Sequence, residues 1–265
     1  MQSLVKDGWQ GVISADFTFE NVRQAARELA AGLKPHASLV IGYDTRFLAE
    51  KFAAEIVKVL TTAGFGCYLA DRDVPLPVLA WEVLDRGAVA GVMVTGGSRP
   101  ADHCGLKFIT GPGSGAKVQG IEHFEPRERY LKYVETSLDT DAIREARLKI
   151  VVDPLYGTGR GYLDRLLQLV GCEVEEIHNY RDVLFGGEAP APGEAHLHEL
   201  KVKMAEKKTD LGFALSGAAD DFAVIDASGR YLPSSHFSRL GTGDALLDCA
   251  KIVELTALKR LKADA

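Results

Sequence analysis

The chain has 265 residues, of which 46% are apolar, and a formal net charge of -6 at pH 7. This length supports two domains with substantial cores, and the apolar content excludes a disordered chain. Lys and Arg are scattered, which gives no ground for a nucleic-acid partner, and no apolar run approaches a membrane span.

Trp9, between Gly8 and Gly11, seats an N-terminal strand. Thr18 reads as a helix N-cap with Glu20 in the first turn, and Val22, Ala25, Ala26, Leu29 and Leu33 follow at helical spacing. Ser38 to Ile41 is a short buried strand running into Gly42-Tyr43-Asp44-Thr45-Arg46. A helix from about Leu48 to Ala63 and a strand near Cys67 to Leu69 come next. Pro75-Leu76-Pro77 then heads a third helix with Val78, Leu79 and Val83 inward.

The apolar run Ala88 to Val94 predicts a strand buried on both faces, ending abruptly in Thr95-Gly96-Gly97-Ser98-Arg99-Pro100. The alternation of strands and helices implies a right-handed parallel α/β layer. Ligands of such sheets bind beyond the carboxyl ends of the strands, which makes the 95–100 loop a candidate site. Gly111 to Gly115 lacks the Lys-Ser/Thr ending and the helix of a phosphate loop, and reads as a flexible hairpin.

Glu125 to Ala146 reads as a bridging helix, with Tyr130, Leu131, Val134 and Leu138 along one face. A second α/β unit begins at Leu148 to Pro154. Gly157 to Gly161 then allow close packing into a helix running to Val170. A helix from about Glu194 to Lys207 precedes the strand Asp210 to Leu215, whose exit loop is Ser216 to Phe222. Thr242 is the candidate N-cap of a last helix through Leu261.

The four cysteines, Cys67, Cys104, Cys172 and Cys249, form no Cys-x-x-Cys pair. They are expected as buried structural thiols in a reducing compartment. No signal-peptide h-region precedes Gly8, so a cytoplasmic location is expected. The seven histidines form no ligand pattern; His196 and His198, two apart on one helix, cannot share a face.

Four stretches carry a resemblance. Thr95 to Pro100, with Gly105 and Lys107, resembles the catalytic loop of the α-D-phosphohexomutases, the phosphoglucomutase/phosphomannomutase family, which reads Thr-Ala-Ser-His-Asn-Pro and then Asn-Gly-x-Lys. Residues 4–13 resemble that family's opening loop, matching at Gly8, Trp9 and Gly11, with Lys6-Asp7 in place of Thr-Ser and Gln10 in place of arginine. Ser216 to Phe222 resembles its metal loop, Asp-Gly-Asp-x-Asp-Arg-Phe. Gly42 to Arg46 also matches the family's Gly-x-Asp-x-Arg.

The resemblance covers roughly residues 4–232, about the first half of the family fold, with no counterpart of its third and fourth domains. It implies two consecutive α/β/α domains of the phosphohexomutase type and a C-terminal helix. Their expected bounds are 1–137 (with the bridging helix at about 125–146), 147–232 and 233–265. The C-terminal helix is expected either to cap the second domain or to mediate a dimer.

The family's phosphoserine falls on Gly97, and Ser98 is the possible substitute. Lys107 matches the family lysine that assists proton transfer. Of three family magnesium ligands, Asp220 remains, while Ser216 and Ala218 occupy the other positions. No cofactor is therefore expected here, although the family uses magnesium.

Arg46, Arg99 and Lys107 form a candidate phosphate site; the alternative pairs Arg46 with Asp44 and leaves Lys107 as a snorkelling strand residue. Together these features imply a pseudoenzyme that binds a phosphosugar, an active mutase or another copy of itself. Two other readings stand beside it: a working hexose-phosphate phosphotransferase using Ser98, and a fragment of a longer mutase.

Overall fold

Thr18 opens the first helix. In the computed structural model, which describes residues 8–264 with side chains through 260, its hydroxyl accepts a 3.2 Å hydrogen bond from the Asn21 backbone N–H. Helix α1 (Phe19–Gly32) buries Val22, Ala25, Ala26 and Leu29, the face expected from their spacing. The expectations for Lys6 and Asp7 lie outside the described residues.

The chain divides after Pro126 into two units, not near residue 137. The expected bridging helix is two helices, α4 (Arg127–Glu135) and α5 (Thr140–Ala146), both in the second unit. The Ser137 hydroxyl donates to the Val134 carbonyl and closes off α4, and the Asp139 carboxylate accepts from Ala142 N–H and opens α5.

In the first unit, β1 (Trp9–Val12) and α1 are followed by β2 (Ser38–Tyr43), α2 (Ala49–Thr62), β3 (Gly66–Ala70), α3 (Leu76–Asp85), β4 (Ala90–Val94), β5 (His103–Thr110) and β6 (Ile121–Phe124). The sheet order is β1-β5-β4-β2-β3-β6. The run β4-β2-β3-β6 is parallel, as the alternation predicts. The sheet as a whole is mixed, because the chain after β4 turns straight back as antiparallel β5, on which β1 pairs antiparallel.

β2 and β4 are buried along their whole length, which accounts for their unbroken apolar sequence. Gly111 to Gly115 is not a hairpin. It runs beside residues 87–89, with Gly111, Gly113 and Gly115 donating to the Val89, Ala88 and Gly87 carbonyls.

In the second unit, α4 and α5 lead to β7 (Lys149–Asp153), α6 (Leu163–Leu169), β8 (Glu173–Glu176), α7 (His198–Lys207), β9 (Leu211–Leu215), β10 (Phe222–Asp226), β11 (Tyr231–Pro233) and α8 (Ala245–Asp264). The sheet order is β11-β10-β9-β7-β8, parallel from β9 to β8 and antiparallel at β10 and β11.

The apolar side of α8, with Leu246, Cys249 and Val253 buried, packs on α5 and α6 and so covers its own unit. Its N-cap is Asp244, not Thr242: the Asp244 carboxylate accepts from Leu246 and Leu247 N–H at 3.0 and 3.1 Å. The Thr242 hydroxyl instead donates to Asp248. All four cysteines are buried and free, and burial pushes the Cys67 and Cys172 thiols up to about 12. No described helix is long and apolar enough to cross a membrane.

Candidate functional site

Two loops leave the carboxyl ends of buried strands, one in each unit. In the first unit, Tyr43 pairs with Val94. The segments that follow, 44–46 and 95–100, therefore emerge side by side.

Arg46 and Asp44 are both fully buried beneath them. The Arg46 Nε donates to Asp44 at 3.0 Å. One terminal nitrogen donates to the carbonyls of Pro100 and His103 at 2.6 and 2.9 Å, the other to those of Gly97 and Arg99 at 2.7 and 2.8 Å. All five guanidinium N–H groups are thus committed within the chain. This corrects the expected phosphate-binding role of Arg46, whose guanidinium holds the loop from below and presents no donor to an anion.

The Asp44 carboxylate also accepts from Arg46 N–H, the Thr95 hydroxyl at 2.6 Å and Gly96 N–H. Burial pushes this carboxyl above its ordinary range, opposed first by the Arg46 charge. The Thr95 hydroxyl oxygen accepts in turn from Gly97 N–H at 2.9 Å. Gly96 has no room for a side chain, since a Cβ there would lie 2.5 Å from Arg46 Cζ.

Gly97 differs from its neighbour. Its backbone is left-handed, φ +56°, yet a Cβ would meet nothing nearer than Lys107 Nζ at 3.8 Å. The structure therefore brings Gly97 and Lys107 together, and it leaves Ser98 and Arg99 exposed on the same turn. Gln10, exposed on β1, pairs with Gly105 beside this loop.

In the second unit, β9 exits at Ser216, which is fully buried. Its hydroxyl donates to Asp220 Oδ1 at 2.7 Å and accepts from the backbone N–H groups of Asp220 and Asp221, both at 3.1 Å. Ala218 is buried and offers no polar side chain, and Ala219 is left-handed at φ +52°. Asp221 turns away, accepting from Phe222 N–H and from the Ser234 hydroxyl at 2.6 Å. The tie to Ser234 has no local signal in the sequence, because its partners are thirteen residues apart.

Two sheets of this kind, each flanked by helices and each carrying a polar loop at its strand ends, make an α/β/α protein with its chemistry beyond the carboxyl edge. Family models place it further. "Phosphoglucomutase/phosphomannomutase, alpha/beta/alpha domain I" matches residues 1–125, and the corresponding domain II matches residues 128–229. The chain belongs to the phosphoglucomutase/phosphomannomutase family.

It is 27% identical over 251 residues to a "Probable phosphoglucosamine mutase" of Methanobrevibacter smithii, covering 85% of this chain and 55% of that protein. It is 26% identical over 218 residues to a phosphoglucomutase/phosphomannomutase of Thermococcus kodakarensis, covering 73% and 47% respectively. A solved structure from Thermus thermophilus, described as a phosphomannomutase, matches with a TM-score of 0.78 and 25% identity, over 85% of this chain and 57% of that one. The chain spans about half the length of the curated relatives it matches.

Proposed function

We propose that this chain is a phosphohexomutase scaffold that binds a phosphorylated sugar at the 95–100 loop and does not transfer the phosphoryl group. The observation that carries this reading is Gly97. The loop frame of Asp44, Arg46 and Thr95 is intact, and the position aligned with the family's phosphoserine points into open space beside Lys107 without a nucleophile. Phosphoryl transfer through a covalent intermediate needs that nucleophile.

The second loop supports the same reading. A magnesium ion takes several hard oxygen ligands in near-octahedral geometry. Here one carboxylate, Asp220, is tied to Ser216, and the position between them is the methyl of Ala218. These residues do not fit the ion, and no step is assigned to it. Arg99 and Lys107 remain to attract a phosphate dianion, with Ser98 beside them.

The second reading makes Ser98 a displaced nucleophile; its exposure on a turn next to Gly97 favours it. Intact-mass spectrometry before and after incubation with magnesium and a hexose 1,6-bisphosphate separates the two. No phosphoryl gain, under conditions that label an active mutase fully, is expected. A single gain abolished in Ser98→Ala overturns the proposal in favour of the second reading. Binding of a hexose 6-phosphate, weakened at least tenfold in Arg99→Ala with Lys107→Ala, is the positive expectation.

A further inference from the structure

Helix α6 buries Leu163, Leu166 and Leu167, and with them an acid, Asp164. Only 6% of Asp164 is exposed. A carboxylate among leucines is costly unless it is paired or holds a cation. Among the described residues Asp164 has no basic partner. Its Oδ1 is buried without a hydrogen bond, and its Oδ2 has the neutral Asn179 amide nitrogen at 3.5 Å.

The charged group nearest that amide is a second acid. Glu176 ends β8 half-buried, and the same Asn179 nitrogen bonds its Oε2. Its Oε1 lies 3.3 Å from the Gln168 amide nitrogen. No Lys, Arg or His among the described residues bonds Glu176 either. Two carboxylates therefore converge on one amide with no positive charge between them. Burial, with the Glu176 charge adding to it, pushes the Asp164 carboxyl up to about 6. At pH 7 a proton therefore does not relieve it.

The spacing suits a hard cation. A half-turn of the Asn179 amide exchanges its nitrogen for its oxygen. That places a third oxygen where the nitrogen now contacts both acids. Neighbouring ligands of a six-coordinate ion lie about 1.4 bond lengths apart, about 3.4 Å for calcium and about 3.0 Å for magnesium. The 3.5 Å between Asn179 and Asp164 matches the larger ion.

We propose that Asp164, Glu176 and Asn179 bind a calcium ion where α6 meets the end of β8. The two carboxylates neutralise the ion, and the buried Asp164 Oδ1 gains the partner it lacks. The turned Asn179 amide supplies a neutral oxygen. Glu176 and Asn179 are half-buried, so the remaining positions open to water. The site shares no residue with the 216–221 loop.

The test strips the full chain of metal with EDTA and titrates it at neutral pH with calcium chloride and with magnesium chloride, by calorimetry and by thermal unfolding. Calcium is expected to saturate one site and to raise the unfolding midpoint, with magnesium at least tenfold weaker. Glu176→Gln, at a half-buried position, is expected to fold and to weaken calcium binding at least tenfold; Asp164→Asn is expected to abolish it. Asp220→Asn, in the other loop, is expected to leave it unchanged. Four results overturn the proposal: no saturable calcium binding, magnesium binding as tight as calcium, calcium binding unchanged in Glu176→Gln, or calcium binding lost in Asp220→Asn.

Discussion

The two strand-end loops are built in opposite ways. The 95–100 loop is held from below by a buried guanidinium that reaches carbonyls at Gly97, Arg99, Pro100 and His103, with the Thr95 hydroxyl bonded to Asp44 and Gly97 N–H beside it. The 216–221 loop closes on itself, through the Ser216 hydroxyl and through backbone bonds from Ser216 N–H to Asp221 and from Ala219 N–H to Ser216. The first keeps its shape at Gly97 with no side chain there. The second is closed by a side chain of its own, Ser216. A loop held from beneath thus stays open at Gly97, and a loop bonded to itself is shut.

Removing the guanidinium is expected to have the largest effect on either loop. Arg46→Met leaves Asp44 as an uncompensated buried charge and strands four carbonyls, so the expected loss is about 3–5 kcal/mol. Urea unfolding checks it; a loss far below that range means the loop has other support. Ser216→Ala is expected to cost less, about 1–3 kcal/mol, because it leaves the Asp220 and Asp221 N–H groups without that oxygen in a partly buried loop. A Ser216→Ala loss equal to that of Arg46→Met would erase the contrast.

Much of this is legible in the sequence, for physical reasons that differ by residue. Thr18 announces its helix because a cap is a local bond. The strand ending at Val94 announces itself by an apolar run that both faces must bury. The break at Ser137 to Asp139 is not legible, since helical spacing of apolar residues runs through it and only the Ser137 and Asp139 bonds stop it. Thr242 and Asp244 are both good caps, and only the direction of the backbone decides for Asp244.

Gly97 is legible as the position that aligns with the family's serine, but the space around it is not. Arg46 is visible as a cation, but its partners come from Asp44 and from residues 97–103, more than fifty positions away in sequence.

A hydroxyl at position 97 probes the held loop directly. Gly97→Ser must hold a non-glycine residue at φ +56°, which costs roughly 1–2 kcal/mol, but it meets no close atom. A folded variant with its new hydroxyl near Lys107 is expected, readable by thermal unfolding. Incubated with magnesium and hexose 1,6-bisphosphate, it is expected to gain no phosphoryl group, because the second loop still offers only Asp220. A mass gain would show that the closed second loop is no obstacle to the chemistry.

The smallest effect separates the units by pH. The first unit's strand ends are tied by the Arg46 guanidinium through its bonds to Asp44 and the loop carbonyls. In the second unit Asp153, at the end of β7, is bonded by His178, which titrates. The Asp153 carboxylate holds His178 above its ordinary pKa, with burial opposing and Glu199 adding to the rise. The protonated ring is therefore favoured in the folded chain. Its stabilisation is complete below the unfolded value of about 6.5 and is lost as pH rises through the folded value. Hydrogen exchange corrected for intrinsic rates should show β7 and α7 opening more readily in mildly alkaline than in mildly acidic buffer. His178→Asn, which tolerates the left-handed backbone at φ +50°, should remove that difference. If the pH dependence survives in the variant, the tie between β7 and α7 does not run through this ring.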